Sequence, residues 1–101
     1  MITRIVKLQF QPEKLEAFLA HFETIKWQVA QYPRCLGMQL LQDQENPCII
    51  FTYSRWEDET ALNAYRDSEL FGKVWPAIKP WFEKRAEAWT VAERFDGFPV
   101  K

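Results

Sequence analysis

The sequence is poor in glycine, cysteine and histidine, with three, two and one in 101 residues. Two cysteines are too few for a disulfide framework. Cys35 and Cys48 fall at opposite ends of an expected hairpin. At ~3.3 Å per residue that puts them about 20 Å apart, beyond the roughly 7 Å between Cα atoms that a disulfide tolerates. Both read as reduced thiols, the state expected in a cytoplasmic protein. One histidine and two separated cysteines leave no spacing for a structural zinc site, so no metal is expected. Neither sign of charge dominates: 13 Lys+Arg against 14 Asp+Glu leave a net charge of -1. That balance excludes the basic stripe of a nucleic-acid binder. No run approaches the roughly 20 apolar residues of a membrane span, and Met1-Ile2-Thr3-Arg4 does not open a signal peptide. No Gly-rich phosphate loop, paired-carboxylate motif or Ser/His/Asp constellation is recognisable.

Aromatic side chains are abundant instead. Eight Phe, five Trp and three Tyr make up 16% of the chain. A chain of this length is one domain and buries roughly two thirds of its unfolded surface. So many rings imply more buried surface than one small core absorbs.

The order of elements follows from periodicity. Residues 2–10 place Ile2, Val6, Leu8 and Phe10 on one side and Thr3 and Ile5 on the other, a strand. Pro12 suits a first helical turn, and Leu15, Phe18, Phe22, Ile25 and Val29 then predict an amphipathic helix over 12–31, closed by Tyr32-Pro33. Residues 35–42 and 48–56 are β-rich and flank the turn-forming Asp43-Gln44-Glu45-Asn46-Pro47. Glu57-Asp58-Glu59 opens a short helix reaching about Tyr65, since negative charge favours a helix N-terminus. Ser68 is an expected N-cap for a stretch with helical spacing at Phe71, Val74, Ile78 and Phe82, broken by Pro76 and Pro80. Residues 86–95 alternate as a last strand, and 96–101 form a tail. The order β-α-β-β-α-β is ferredoxin-like: an α+β fold with a four-stranded antiparallel sheet. Right-handed crossovers put the helices on one face of it.

The other face is then uncovered, and it is apolar. Ile49, Phe51, Tyr53 and Arg55 point one way from the third strand, while Cys48, Ile50, Thr52, Ser54 and Trp56 point the other. A half-wet sheet reads apolar-in and polar-out, and this one does not. Burying each such side chain gains roughly 1.5–3 kcal/mol, so two sheets packed face to face, a homodimer, are expected. The alternative is a monomer whose C-terminal tail covers the sheet. Arg4 and Arg55 are placed on this open face, where Glu93 is a candidate partner.

These features resemble the antibiotic biosynthesis monooxygenase family of dimeric α+β barrels over about residues 2–95. The most specific segment is Trp56-Glu57-Asp58 followed by Ala61-Leu62-Asn63-Ala64-Tyr65-Arg66-Asp67-Ser68-Glu69-Leu70-Phe71. Trp56, Ala61-Leu62, Ser68 and Phe71 match the family's pattern, while Tyr65 stands where a His is common. Thr52 stands where some family oxygenases carry an Asn. The resemblance implies a cavity between sheet and helices in each protomer, and oxidation of phenols or quinols by molecular oxygen with no metal or flavin. In the haem-degrading branch of the fold an iron-ligating His falls where this chain has Trp75, and an Asn falls near Lys7; indole cannot ligate iron, which disfavours haem breakdown.

The expected catalytic candidates are Tyr65, which can hydrogen-bond a phenolic or quinone oxygen, and His21, the only side chain that titrates near neutrality unperturbed. Packing is the competing and more common explanation of each: Tyr65 as a core tyrosine, His21 as a boundary residue. Thr52, Trp56, Phe71 and Trp75 are the expected substrate-binding residues. Two functions compete. The first is a cofactor-independent monooxygenase acting on a small phenolic or quinol aromatic. The second is a non-catalytic dimer that binds a small hydrophobic molecule; an isomerase or decarboxylase on the same scaffold is a third.

Overall fold

A computed structural model of the chain describes residues 1–99. It runs β1 (Ile2–Phe10), α1 (Leu15–Ala30), β2 (Cys35–Gln42), β3 (Ile49–Trp56), α2 (Glu59–Arg66), α3 (Glu69–Ile78) and β4 (Phe82–Val91), with 3-10 turns at Pro12–Lys14 and Lys79–Trp81. The strand order is β2-β3-β1-β4, and every neighbouring pair is antiparallel. This is the α+β ferredoxin-like arrangement, and the helices of both crossovers pack on one face.

Local chemistry sets the boundaries. Pro12 sits in the turn that leads into α1, where its missing N–H costs no bond. Asp58 caps α2 by accepting from the Ala61 N–H at 2.8 Å, and Ser68 caps α3 by accepting from the Phe71 N–H at 3.1 Å. Arg34 adopts φ 68 between α1 and β2, and its guanidinium pairs with Glu57 and Asp58 at the start of α2. The left-handed backbone of a non-glycine residue is strained, and these ion pairs help to hold it. Gly37 (φ 137) follows a bulge in β2: Cys35 faces Trp56 and Gly37 faces Arg55, which leaves Leu36 unpaired.

Three expectations are corrected. Phe82 keeps helical spacing from Ile78 but opens β4, because the Lys79–Trp81 turn hands the chain directly to β1. There the Gln11 N–H donates to the Trp81 carbonyl at 3.0 Å and Phe82 faces Phe10. The last strand therefore covers Phe82–Val91 rather than 86–95. It ends where its partner runs out, since Val91 faces Thr3 one residue from the start of β1. Arg4 lies on the helix-covered face with Val6 and Leu8, not on the open face, because alternation along β1 fixes its direction. Pro76 does not stop α3, which runs two residues further before tightening at Lys79. Of the expected tail, residues 100 and 101 lie outside the described residues.

The core forms two clusters. Leu8, Phe10, Phe18, Ile50 and Ile78 are buried at one end of the β1–β3 ladder, where Phe10 stacks on Phe18 with centroids 4.2 Å apart. Trp56, Ala61 and Leu62 are buried at the other end. The opposite face of the sheet remains largely open. Its cross-strand rows are Leu41, Phe51, Lys7 and Glu87, then Gln39, Tyr53, Ile5 and Trp89. Trp89 is 47% exposed, and Leu41 and Val91 are also exposed. The described part of the tail runs over the end of this face near Thr3, Ile5 and Val91, where Glu93 approaches Arg55 at 3.7 Å, as its charge suggested. Phe95 and Phe98 remain 86% and 82% exposed.

Candidate ligand-binding cavity

A cavity of about 330 Å³ lies between the two core clusters, under the helices. Each element supplies one face to it. α1 contributes Phe18, Phe22, Ile25 and Val29, at the three- and four-residue spacing of one helical side. α2 contributes Leu62, Tyr65 and Arg66, and α3 contributes Phe71, Val74, Trp75 and Ile78. The floor consists of alternate strand residues: Arg4, Val6 and Leu8 from β1, Thr52, Ser54 and Trp56 from β3, Met38 from β2, and Ala86 and Ala88 from β4. The small alanines leave room that larger side chains would fill.

Aromatic contacts run along the wall without a break. Tyr65 stacks on Trp56 at 5.1 Å and meets Tyr32 and Phe71 edge-on, each at 5.3 Å. Phe71 stacks on Trp75 at 5.8 Å, and Trp75 meets Phe82 at 5.5 Å. Rings packed in this way present flat apolar surface to a ligand.

Polar groups are few. The Trp56 indole N–H donates to the Ser54 hydroxyl at 3.0 Å, so both are already engaged. Burial pushes the Tyr65 phenol up to about 12, with further contributions from the Cys35 thiol and the Tyr32 phenol. Tyr65 is therefore protonated at neutral pH and acts as a hydrogen-bond donor rather than a base. Arg4 donates from Nη1 to the Thr90 hydroxyl at 2.8 Å. Its pKa is lowered by burial and then by the positive charge of Arg66.

The structure brings five of the six sequence-predicted site residues, Thr52, Trp56, Tyr65, Phe71 and Trp75, to this one cavity. His21 is not among its lining residues; its ring meets Trp81 edge-on at 6.0 Å, and its Nε2 is buried without a hydrogen-bond partner. Sequence reasoning missed Arg4, Arg66 and Ser54. For Arg4 and Ser54 the signal was present in strand alternation, and Arg66 follows Leu62 by four residues on α2. Among the described residues no three His, Cys, Asp or Glu side chains converge as a metal set.

The model of one family, antibiotic biosynthesis monooxygenase, matches residues 1–75. The chain belongs to this family. The matched segment of the antibiotic biosynthesis monooxygenase domain carries every lining residue except Ile78, Ala86 and Ala88. Solved structures share the fold closely at low identity. A crystal structure of an antibiotic biosynthesis monooxygenase is 23% identical, with 98% of this chain and 100% of that chain covered and a TM-score of 0.84. A conserved protein from Methanosarcina mazei Go1 is 24% identical over 93% of this chain and 94% of its own, with a TM-score of 0.85. Rv0793 from Mycobacterium tuberculosis is 12% identical over 96% and 98%, also at 0.85. No curated protein matches the sequence.

Proposed function

We propose that the protein is a monooxygenase that binds a small phenolic or quinol aromatic in the cavity and oxidises it with molecular oxygen, without a metal or organic cofactor. The observation that carries this reading is the cavity itself: aromatic walls, few polar groups, and two of those, Thr52 and Tyr65, able to donate to an oxyanion. Its volume of about 330 Å³ is near the lower end of the ~300–1,000 Å³ typical of ligand pockets, which suits one or two rings. Family membership supplies the monooxygenase class.

The chemistry is balanced without an external reductant. A phenol with a free para C–H loses its O–H proton to solvent, and the phenolate gives one electron to dioxygen. The phenoxyl radical and superoxide combine at the para carbon. Loss of the ring hydrogen with one peroxide oxygen as water leaves the quinone, so phenol plus O₂ becomes quinone plus water. The protein's work is to favour the anion and exclude bulk water. Tyr65 and Thr52, at different points along the cavity, are the donors available to a phenolate oxygen, and Trp56, Phe71 and Trp75 clamp the ring. His21, which flanks the cavity stripe of α1 and packs against Trp81 outside the cavity, takes no part.

A non-catalytic binding protein is the second reading, favoured by one observation: none of the residues lining the cavity is a carboxylate or an imidazole. An oxygen electrode with a panel of phenols and quinols decides between them. The monooxygenase reading expects uptake above the autoxidation rate for at least one compound that quenches tryptophan fluorescence. Quenching by members of the panel with no added uptake sinks it.

The active form in this proposal is a homodimer, joined through the open sheet face. Leu41, Trp89 and Val91 are exposed there, and Phe95 and Phe98 extend beside them. Burying each of the exposed side chains gains roughly 1.5–3 kcal/mol. Sedimentation equilibrium should return twice the 12.1 kDa chain mass; a single-chain mass at high concentration contradicts the dimer. A reducing cytoplasm suits the two free thiols, and among the described residues no helix is long and apolar enough to cross a membrane.

A further inference from the structure

We infer that the aromatic ligand carries a carboxylate, and that Arg4 and Arg66 hold it at one end of the cavity. The inference rests on the cavity being the ligand site and adds the chemical class of what it takes. Two guanidinium groups line a space that is otherwise almost wholly apolar. Among the described residues neither forms an ion pair; the salt bridges of the chain lie elsewhere, at Glu23, Glu57, Asp58, Glu69 and Glu93. Arg4 is half-buried, and its one side-chain hydrogen bond, to Thr90, uses one of five N–H donors. A cation withdrawn from water without a carboxylate is costly, and a second cation beside it adds to that cost.

Other roles for the pair fit less well. A structural role predicts a carboxylate partner, which the chain supplies to Arg34 and Arg55 but not here. Nor does the arrangement serve general attraction of anions, since the net charge is -1. What remains is a localised anion bound by forked donors, for which guanidinium and carboxylate are geometrically matched. The register fixes where it sits. Arg4 faces Ser54 and Val6 faces Thr52, so the Arg4 row lies two residues along the floor from the Thr52 row. That is about 7 Å at ~3.3 Å per residue, the span of an aromatic ring with an oxygen group at either end. The carboxylate lies toward Arg4, and the ring runs from there along the floor toward Thr52.

Fluorescence titration of the intact protein with 6-hydroxy-2-naphthoate and with 2-naphthol tests this. The two probes share the ring and hydroxyl and differ in the carboxylate. The naphthoate should bind at least about tenfold tighter, the size expected for a charged hydrogen-bonded pair. The ratio of the two affinities should fall toward one in Arg4→Gln and in Arg66→Gln. Arg66 is exposed at the end of α2, so its variant folds even if Arg4→Gln does not. Equal affinities for the two probes overturn the carboxylate while leaving the cavity as the site. A preference that survives both substitutions also overturns it, by placing the anion elsewhere. If neither probe binds, the cavity reading itself fails, and this inference with it.

Discussion

Replacing Tyr65 by Phe removes a single hydroxyl and keeps the ring among Trp56, Tyr32 and Phe71. The hydrogen bonds recorded at this residue use its backbone carbonyl, which accepts from Ser68, so the packing and the start of α3 survive the change. What is lost is a neutral donor on a residue that lines the cavity. A hydrogen bond to a charged group contributes about 1.5–3 kcal/mol, and one unit of pKa corresponds to about 1.36 kcal/mol. If Tyr65 donates to a bound phenolate, its loss therefore raises the pKa of a bound phenol by about 1–2 units. The assay is a visible-absorbance titration of 4-nitrophenol bound at saturation, whose anion is yellow. The wild-type protein should bind the anion preferentially and depress the apparent pKa below that of free 4-nitrophenol, with Arg4 and Arg66 assisting. Tyr65→Phe should recover most of that depression with little change in melting temperature. An unchanged bound pKa, with binding intact, refutes the donor role.

Alkaline titration gives a second test. Tyr65 is raised to about 12 from an unfolded value of 10.0, so the unfolded chain ionises first. The contribution is full below pH 10 and is lost as pH rises through the folded value. After allowance for partial exposure, wild type should lose about 1–2 kcal/mol relative to Tyr65→Phe across that window, as measured by urea denaturation. Ser54→Ala leaves the buried Trp56 indole N–H without its acceptor. It should cost about 1–3 kcal/mol in denaturant, and a change within error removes that bond from the account. Ser68→Ala removes the cap of α3 and should lower stability by about 1 kcal/mol. Trp89→Glu puts a charge on the open face, beside Ile5. Its sedimenting mass should be that of one chain with an unchanged far-UV spectrum; a dimer that survives places the contact elsewhere.

Much of this arrangement is legible in the sequence because local chemistry and periodicity agree. Alternation in β1 and β3, the polar turn between Cys35 and Cys48, the acidic run before α2 and the cap Ser68 each point to the observed elements. Where they conflict, the reading fails. Phe82 has helical spacing behind two prolines, yet pairing with Phe10 decides its conformation, and that pairing is not local. Phe95 continues an alternation whose partner strand has already ended. Arg4 is a third such conflict: a charged residue expected on the open face takes the covered one, as its alternation with Ile2 and Val6 dictates. The five cavity residues found from the sequence are those that family resemblance or bulk singled out. Arg66 shares the α2 face of Leu62, but nothing in its own segment shows that Arg4 lies beside it.

Crystals grown with 2-naphthol at a concentration shown by fluorescence to saturate the protein test the central claim most directly. The account predicts the naphthol rings between α2, α3 and the sheet, against Trp56 and Trp75, with the hydroxyl within hydrogen-bond distance of Tyr65 or Thr52. Ligand density elsewhere on the chain, with this cavity collapsed or holding only water, contradicts it.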